Sequence, residues 1–140
     1  MNESRTFVDT NVLVYAVDRQ AASKRARALA ILVELGSSVV VSTQVIQEFY
    51  VASTHKLARR LPVDEAERRV EELLQTDVVV IDPRLIRQAI SLSRDHQLSF
   101  WDALIVQAAQ SRGCTRLLTE DLQDGRRFGT VRVENPFAGL

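Results

Sequence analysis

Two carboxylates interrupt apolar stretches of the sequence. Asp9 stands in the largely apolar run 7–16, and Asp102 stands in a second such run, 100–105. Burying an ionised carboxylate without a partner costs several kcal/mol, so each acid needs a strand end, a helix terminus or a cation beside it. Structural explanations exist for both, because Asp9 suits a helix N-cap and Asp102 forms a capping-box pattern with Ser99.

Two further acids are placed where they could join this pair. Glu48 lies one turn from both Val45 and Ala52 on a predicted helix, and therefore borders its apolar face. Asp121 closely follows a predicted strand, as Asp9 does. Their ordinary alternatives are an exposed helical acid and a turn residue. Four carboxylates in one cleft would repel each other, and a bound divalent cation is the usual remedy. Oxygen ligands favour Mg²⁺ or Mn²⁺ over zinc.

The elements that must position these acids follow from hydrophobic periodicity. Strands are predicted at 6–8, 39–41, 78–81, 116–118 and 131–133. Helices are predicted over 21–35, 43–57 (capped by Ser42 or Thr43), from 64 onward, from Pro83 onward and over 101–111. Residues 11–17 are ambiguous, since β-branched side chains favour a strand and Asp-Thr-Asn suits a helix cap. The alternation predicts a three-layer α/β/α sandwich with a mainly parallel, about five-stranded sheet.

The composition is that of a compact globular chain, and residues 1–140 are expected to form a single domain. Apolar residues make up 46% and charged residues 26%, with 18 basic and 18 acidic side chains, so bulk charge does not indicate nucleic-acid binding. Cys114 is the only cysteine, which excludes an internal disulfide and fits a reducing cytoplasm. No apolar run approaches the ~20 residues of a membrane span, so we expect a cytoplasmic protein.

Four segments taken in order resemble the motifs of PIN-domain ribonucleases, and those of VapC toxins in particular. They are residues 7–15, 47–49, 98–105 and 118–122. The resemblance covers nearly the whole chain and implies that four acids form a metal-binding catalytic cluster: Asp9, Glu48, Asp102 and Asp121. It also implies that Thr10, Asn11 and Thr119 orient these acids or hold the waters of the metal, and that a helix begins about Asn11. Asp124 could be a fifth acid or a turn residue before Gly125.

The resemblance implies a Mg²⁺-dependent endoribonuclease, with Mn²⁺ as a substitute, that hydrolyses RNA with metal-activated water. Products would carry 5′-phosphate and 3′-hydroxyl ends. It further implies a homodimer and a cognate antitoxin protein that covers the site. Because acids repel RNA, cations near the rim must guide the backbone. The candidates are Arg25, Arg27, Arg59, Arg60, Arg126 and Arg127.

Other protein classes also place clustered acids on an α/β sheet. A receiver-type phosphoacceptor domain needs a lysine at a late strand end, and neither Lys24 nor Lys56 is placed there. A phosphatase of the haloacid type needs a second Asp two residues after the nucleophile, where this chain has Asn11. A catalytically silent PIN-like module that binds protein or RNA is the main alternative, and the intact set of four acids argues against it.

Overall fold

A computed structural model describes residues 4–140 of the chain, built around a twisted six-stranded sheet. The strands are β1 (Thr6–Val8), β2 (Val39–Ser42), β3 (Asp77–Val79), β4 (Arg116–Leu118), β5 (Arg127–Phe128) and β6 (Val131–Glu134). Their order across the sheet is β3-β2-β1-β4-β6-β5. All neighbours pair in parallel except β5 and β6, which are antiparallel. The predicted mainly parallel α/β sheet is confirmed, with one strand more than the five predicted.

Six α-helices connect these strands. They are α1 (Thr10–Tyr15), α2 (Ala22–Leu35), α3 (Thr43–Val51), α4 (Val63–Leu74), α5 (Pro83–His96) and α6 (Phe100–Ser111). The chain builds outward from β1 to β2 and β3, then returns to place β4 on the other side of β1. Right-handed crossovers running in opposite directions place helices on opposite faces of the sheet. The strand order therefore reverses between β1 and β4, and a crevice opens at their carboxyl ends.

The sheet forms the centre of the hydrophobic core. Every residue of β1 is buried, and Phe7 and Val8 are fully enclosed, as are Leu117 and Val133 on the neighbouring strands. Strands covered on both faces need continuous apolar sequence, which is why the short run at 39–41 predicts a strand. This packing fixes the ends of β1 and β4, from which the site residues project.

The ambiguous stretch after Asp9 is helical. The helix α1 begins at Thr10, as the resemblance implies, because the Asp9 side chain caps it and Val12 and Leu13 enter the core. The β-strand alternative for residues 11–17 is therefore wrong. The third strand also ends earlier than predicted, at Val79, and leaves Val80 exposed.

The helix predicted to run through Leu57 is α-helical only to Val51, and residues Ala52–Lys56 form a π-helical turn. The Ser53 and Thr54 hydroxyls donate to the Tyr50 carbonyl at 3.3 and 2.6 Å. Hydroxyl donation to a carbonyl three or four residues back competes with the backbone ladder and widens a helix locally. The residues after Val51 are consequently rotated relative to a continuous α-helix.

No helix within residues 4–140 has both the length and the apolar character needed to cross a membrane.

Candidate active site

Asp9 lies at the reversal of strand order, directly after β1. Its N–H donates to the Leu118 carbonyl at 3.0 Å and so prolongs the pairing of β1 with β4. One carboxylate oxygen accepts from the Thr10 N–H at 2.7 Å, and the other accepts from the Thr119 hydroxyl at 2.8 Å. The residue is only 6% exposed. Asp9 therefore serves as the N-cap of α1 and holds its carboxyl group at the carboxyl end of the central strand β1.

Thr119 connects Asp9 to Asp121. It is fully buried at the end of β4, and its hydroxyl oxygen accepts from the Asp121 N–H at 3.1 Å and from the Asn11 amide at 3.2 Å. The same Asn11 amide donates to the Asp121 carboxylate at 3.1 Å. The predicted polar neighbours thus form one network that fixes the two strand-end acids relative to each other.

The other two predicted acids approach from helices. Glu48 on α3 is exposed and accepts from the Thr10 hydroxyl at 3.1 Å. Asp102 is half-buried in the first turn of α6, where its N–H donates to the Ser99 hydroxyl at 3.1 Å. The capping interpretation of Ser99 and Asp102 is correct, and it leaves the Asp102 carboxylate free to face the crevice.

All four predicted acids line a single cleft of about 390 Å³. Its remaining walls come mainly from α3, the π turn and the start of α6: Thr10, Gln44, Gln47, Val51, Ala52, Lys56, Trp101 and Ile105. The structure therefore brings together residues separated by more than one hundred positions. Whether they bind a metal there stays a prediction.

Asp124 lies outside this set. It does not line the cleft, and its carboxylate instead accepts from the Asn135 N–H at 2.9 Å. This contact ties the loop after β4 to the chain after β6, which is the turn function that its position before Gly125 suggests. We therefore assign Asp124 to the loop and not to the acid cluster.

The family to which this fold belongs follows from comparison with known proteins. The PIN domain family matches residues 6–127, which is most of the chain. The chain belongs to the PIN domain family. The predicted resemblance is thereby confirmed.

Solved structures with the same fold include several toxin–antitoxin proteins. A toxin–antitoxin complex from Klebsiella pneumoniae is 21% identical, with a TM-score of 0.70, covering 96% of this chain and 98% of that one. VapC20 of Mycobacterium tuberculosis, a toxin that cleaves the sarcin–ricin loop, is 18% identical with a TM-score of 0.65 over 80% and 86%. DNA-bound VapBC from Salmonella typhimurium is 19% identical with a TM-score of 0.65 over 96% and 99%. No curated protein sequence matches the chain.

Burial dominates the electrostatics of the acids in this PIN domain. It raises the pKa of Asp9 from 3.8 to about 7; the hydrogen bonds from Thr119 and Thr10 oppose the change, and the Asp121 and Glu48 carboxylates add to it. Burial also raises the pKa of Asp102, against the Ser99 hydrogen bond and with a contribution from Asp121. These carboxylates are held where their ionised form is disfavoured unless a cation is bound.

The cleft offers the carboxylate oxygens that Mg²⁺ prefers, but the acids do not surround a common point. Within residues 4–140 no three Asp, Glu, His or Cys side chains lie close enough to enclose a metal ion. Mg²⁺ retains several waters and binds proteins through one or two carboxylates, so a closed cage is not required. Gln44 also lines the cleft, 7% exposed, and its side-chain oxygen has no hydrogen-bond partner within the described residues.

The stability of the metal-free protein should fall as pH rises from about 4 to about 7. In that interval the folded state keeps the Asp9 proton and the unfolded chain loses it, so folding takes up a proton. The linked change in the free energy of unfolding is of the order of 2–4 kcal/mol. Thermal unfolding in EDTA across this range measures it. Asp9→Asn should flatten this part of the profile, and an unchanged slope in that variant would contradict the assignment.

A second network braces the loop that carries Asp121. The Tyr15 hydroxyl donates to one Glu120 carboxylate oxygen at 2.7 Å, and the Lys24 ammonium contacts the other at 3.1 Å. Lys24 also donates to the Tyr15 hydroxyl at 3.0 Å. The sequence marks Glu120 as an acid after a strand, but nothing in it pairs Glu120 with Tyr15 and Lys24. Tyr15 and Lys24 therefore tie the loop at Glu120 to α1 and α2.

The arginines proposed for the rim do not line the cleft itself. Among the residues that the structure describes, Lys56 is the only basic side chain lining the acid cleft. Arg25 lines a different, more apolar depression, Arg59 and Arg60 line a third, and Arg27 donates to the Pro136 carbonyl. The loop pair Arg126 and Arg127 also lies outside the cleft lining. Lys56 lies within the helix predicted over 43–57, and nothing in the sequence assigns it to the cleft.

Proposed function

We propose that this PIN domain is a Mg²⁺-dependent endoribonuclease, and that it is the toxin of a toxin–antitoxin pair. The observation that carries the proposal is the convergence of four acids from four elements on one cleft: Asp9, Glu48, Asp102 and Asp121. The toxin assignment is supported by fold similarity to toxin–antitoxin proteins. A cytoplasmic location, a homodimer and a cognate antitoxin belong to the same proposal.

The four acids would hold Mg²⁺, with Mn²⁺ as a substitute. The bound cation would supply charge neutralisation at the phosphate and activation of water. The protein contributes the arrangement: Asp9 is fixed at both oxygens by Thr10 and Thr119, and Asp121 is fixed by Asn11. Preorganised acids need little rearrangement when the substrate arrives. We infer hydrolysis of an RNA phosphodiester, leaving 5′-phosphate and 3′-hydroxyl ends.

One observation favours the alternative of a catalytically silent binding module. No three of the described acids are close enough to enclose a metal. A silent module would keep the PIN fold and bind protein or RNA without cleaving it.

Incubation of total RNA with the purified protein, with and without Mg²⁺, distinguishes the two functions. We expect cleavage that requires Mg²⁺, is lost in EDTA and returns with Mn²⁺. Asp102→Asn should lose cleavage because it removes a carboxylate from the cleft while keeping the capped first turn of α6. Metal-independent cleavage would point to a contaminating ribonuclease, and equal cleavage by Asp102→Asn would contradict the assignment of Asp102 to the catalytic cluster. No cleavage by the wild-type protein would support the silent module.

A further inference from the structure

The acid cleft has an aromatic wall that the carboxylate network does not use. Trp101 lies in the first turn of α6 beside Asp102 and lines the cleft, yet its side chain is 62% exposed. The ring of Phe100 packs against it edge-on, with centroids 5.2 Å apart and planes at 73°. A large apolar ring that is held in place and left open to solvent is a platform for a flat ligand.

The π turn brings a cation to the same cleft. Along α3 the cleft-lining residues Gln44, Gln47, Glu48 and Val51 follow helical spacing on one face. Ala52 and Lys56 of the π turn continue this lining, whereas His55 bonds the Thr54 hydroxyl at 2.8 Å.

We propose that Trp101 and Lys56 form a subsite for one unpaired nucleotide of the RNA substrate, with the base stacked on the indole and a phosphate at the ammonium group. This inference rests on the proposed function. A paired base keeps both faces stacked within a duplex, so a single aromatic platform selects unpaired RNA. Lys56 supplies the attraction that a cleft of carboxylates lacks.

The charge of the cleft disfavours an apolar protein face over Trp101, and a protein that covers the site, as the proposed antitoxin does, has to pair the carboxylates with cations. An apolar protein face laid over Trp101 would also cover the neighbouring carboxylates Asp9, Glu48, Asp102 and Asp121. Removing ionised carboxylates from water costs several kcal/mol per ion unless each is paired. A nucleotide contributes one flat apolar face for Trp101 and one anionic group for Lys56, and leaves the acids accessible to cations and water.

Trp101 is the only tryptophan of the chain, so intrinsic fluorescence reports directly on the platform. The probe is a 12-nucleotide oligouridine in buffer with Ca²⁺ replacing Mg²⁺. We expect saturable quenching by the single strand and little quenching by the same oligomer paired with oligoadenosine. No quenching by the single strand would overturn the stacking. Emission that changes with protein concentration alone, and not with RNA, would assign Trp101 to a contact between copies and overturn it as well.

Matched variants separate the two contacts, with binding followed by anisotropy of a labelled oligouridine. Trp101→Leu should weaken binding by about 5- to 150-fold, and Trp101→Phe should retain most of it. Lys56→Met should reduce the dependence of log K on log salt by about 0.7, the value for one phosphate on a single strand. Arg94→Met removes the same charge from an exposed side chain of α5 outside the cleft and should leave the slope unchanged. Equal slopes in the two methionine variants would refute the phosphate contact.

RNA cleavage and oligouridine binding test the nuclease proposal and the subsite proposal independently. If the wild-type protein fails to cut RNA with Mg²⁺ but quenches with oligouridine as described, the proposed function fails and the nucleotide subsite stands. If the wild type cuts RNA, and Trp101→Leu and Lys56→Met bind and cut like it, the subsite is refuted and the nuclease stands.

Discussion

Replacing Asp9 with asparagine should reduce RNA cleavage by about 10²- to 10³-fold or more while leaving the chain folded. Asparagine keeps the shape of the side chain and can still accept the Thr10 N–H that caps α1. It removes the charge from the one carboxylate within residues 4–140 that is almost entirely enclosed. Losses of this size are typical when one preorganised electrostatic group is removed from an active site. Rates of cleavage of a labelled RNA measure the effect.

Asp124→Asn is the matched control for Asp9→Asn, and the melting temperature with Mg²⁺ is a second measurement. Asp124→Asn changes the same atoms in a loop outside the cleft, where an amide oxygen can still accept the Asn135 N–H, and should cleave at the wild-type rate. Mg²⁺ should raise the melting temperature of the wild-type protein and of Asp124→Asn, and should have little effect on Asp9→Asn. Wild-type cleavage by Asp9→Asn would refute the metal role of this acid.

The positions of the acids could be predicted because they conflict with their surroundings. Asp9 and Asp102 break apolar runs, and the end of a parallel strand is where an α/β sheet accommodates a polar group. Glu48 and Asp121 have weaker signals, because a helix-border acid and a loop acid occur in any protein. Only the resemblance to PIN domains joined all four, and the structure places them along one cleft.

What the sequence did not predict depends on tertiary context. Strand β5 has two residues, too few for any periodicity, and exists because it pairs with β6 across a turn at Gly129. The π turn occurs at Ser53 and Thr54, which are buried and donate their hydroxyls to the Tyr50 carbonyl. Serine and threonine also occur in regular helices, so the sequence alone does not predict this turn. An exposed lysine and an exposed tryptophan do not conflict with their surroundings as a carboxylate in an apolar run does, so the sequence does not assign Lys56 and Trp101 to the cleft.

Thr119→Val should damage both the fold and the cleft, and Thr119→Ser should damage neither strongly. Valine has nearly the shape of threonine but lacks the hydroxyl that donates to Asp9 and accepts from Asp121 and Asn11. Because Thr119 is fully buried, water cannot replace these bonds. Leaving such groups unpaired costs about 2–4 kcal/mol, to be measured by chemical denaturation of the metal-free protein.

The same substitution should weaken the response to Mg²⁺ by about 10- to 100-fold, as expected for loss of a group that orients metal ligands. The Thr119 hydrogen bond opposes the rise in the pKa of Asp9, so its removal disfavours the ionised carboxylate further. The Mg²⁺ concentration for half-maximal cleavage should therefore increase, and increase most below pH 7. Serine restores the hydroxyl and should restore this response even where the lost methyl group lowers stability. A valine variant that is less stable but responds to Mg²⁺ as the serine variant does would reduce Thr119 to a structural role. The ordering of Asp9 and Asp121 would then have to come from Thr10 and Asn11 alone.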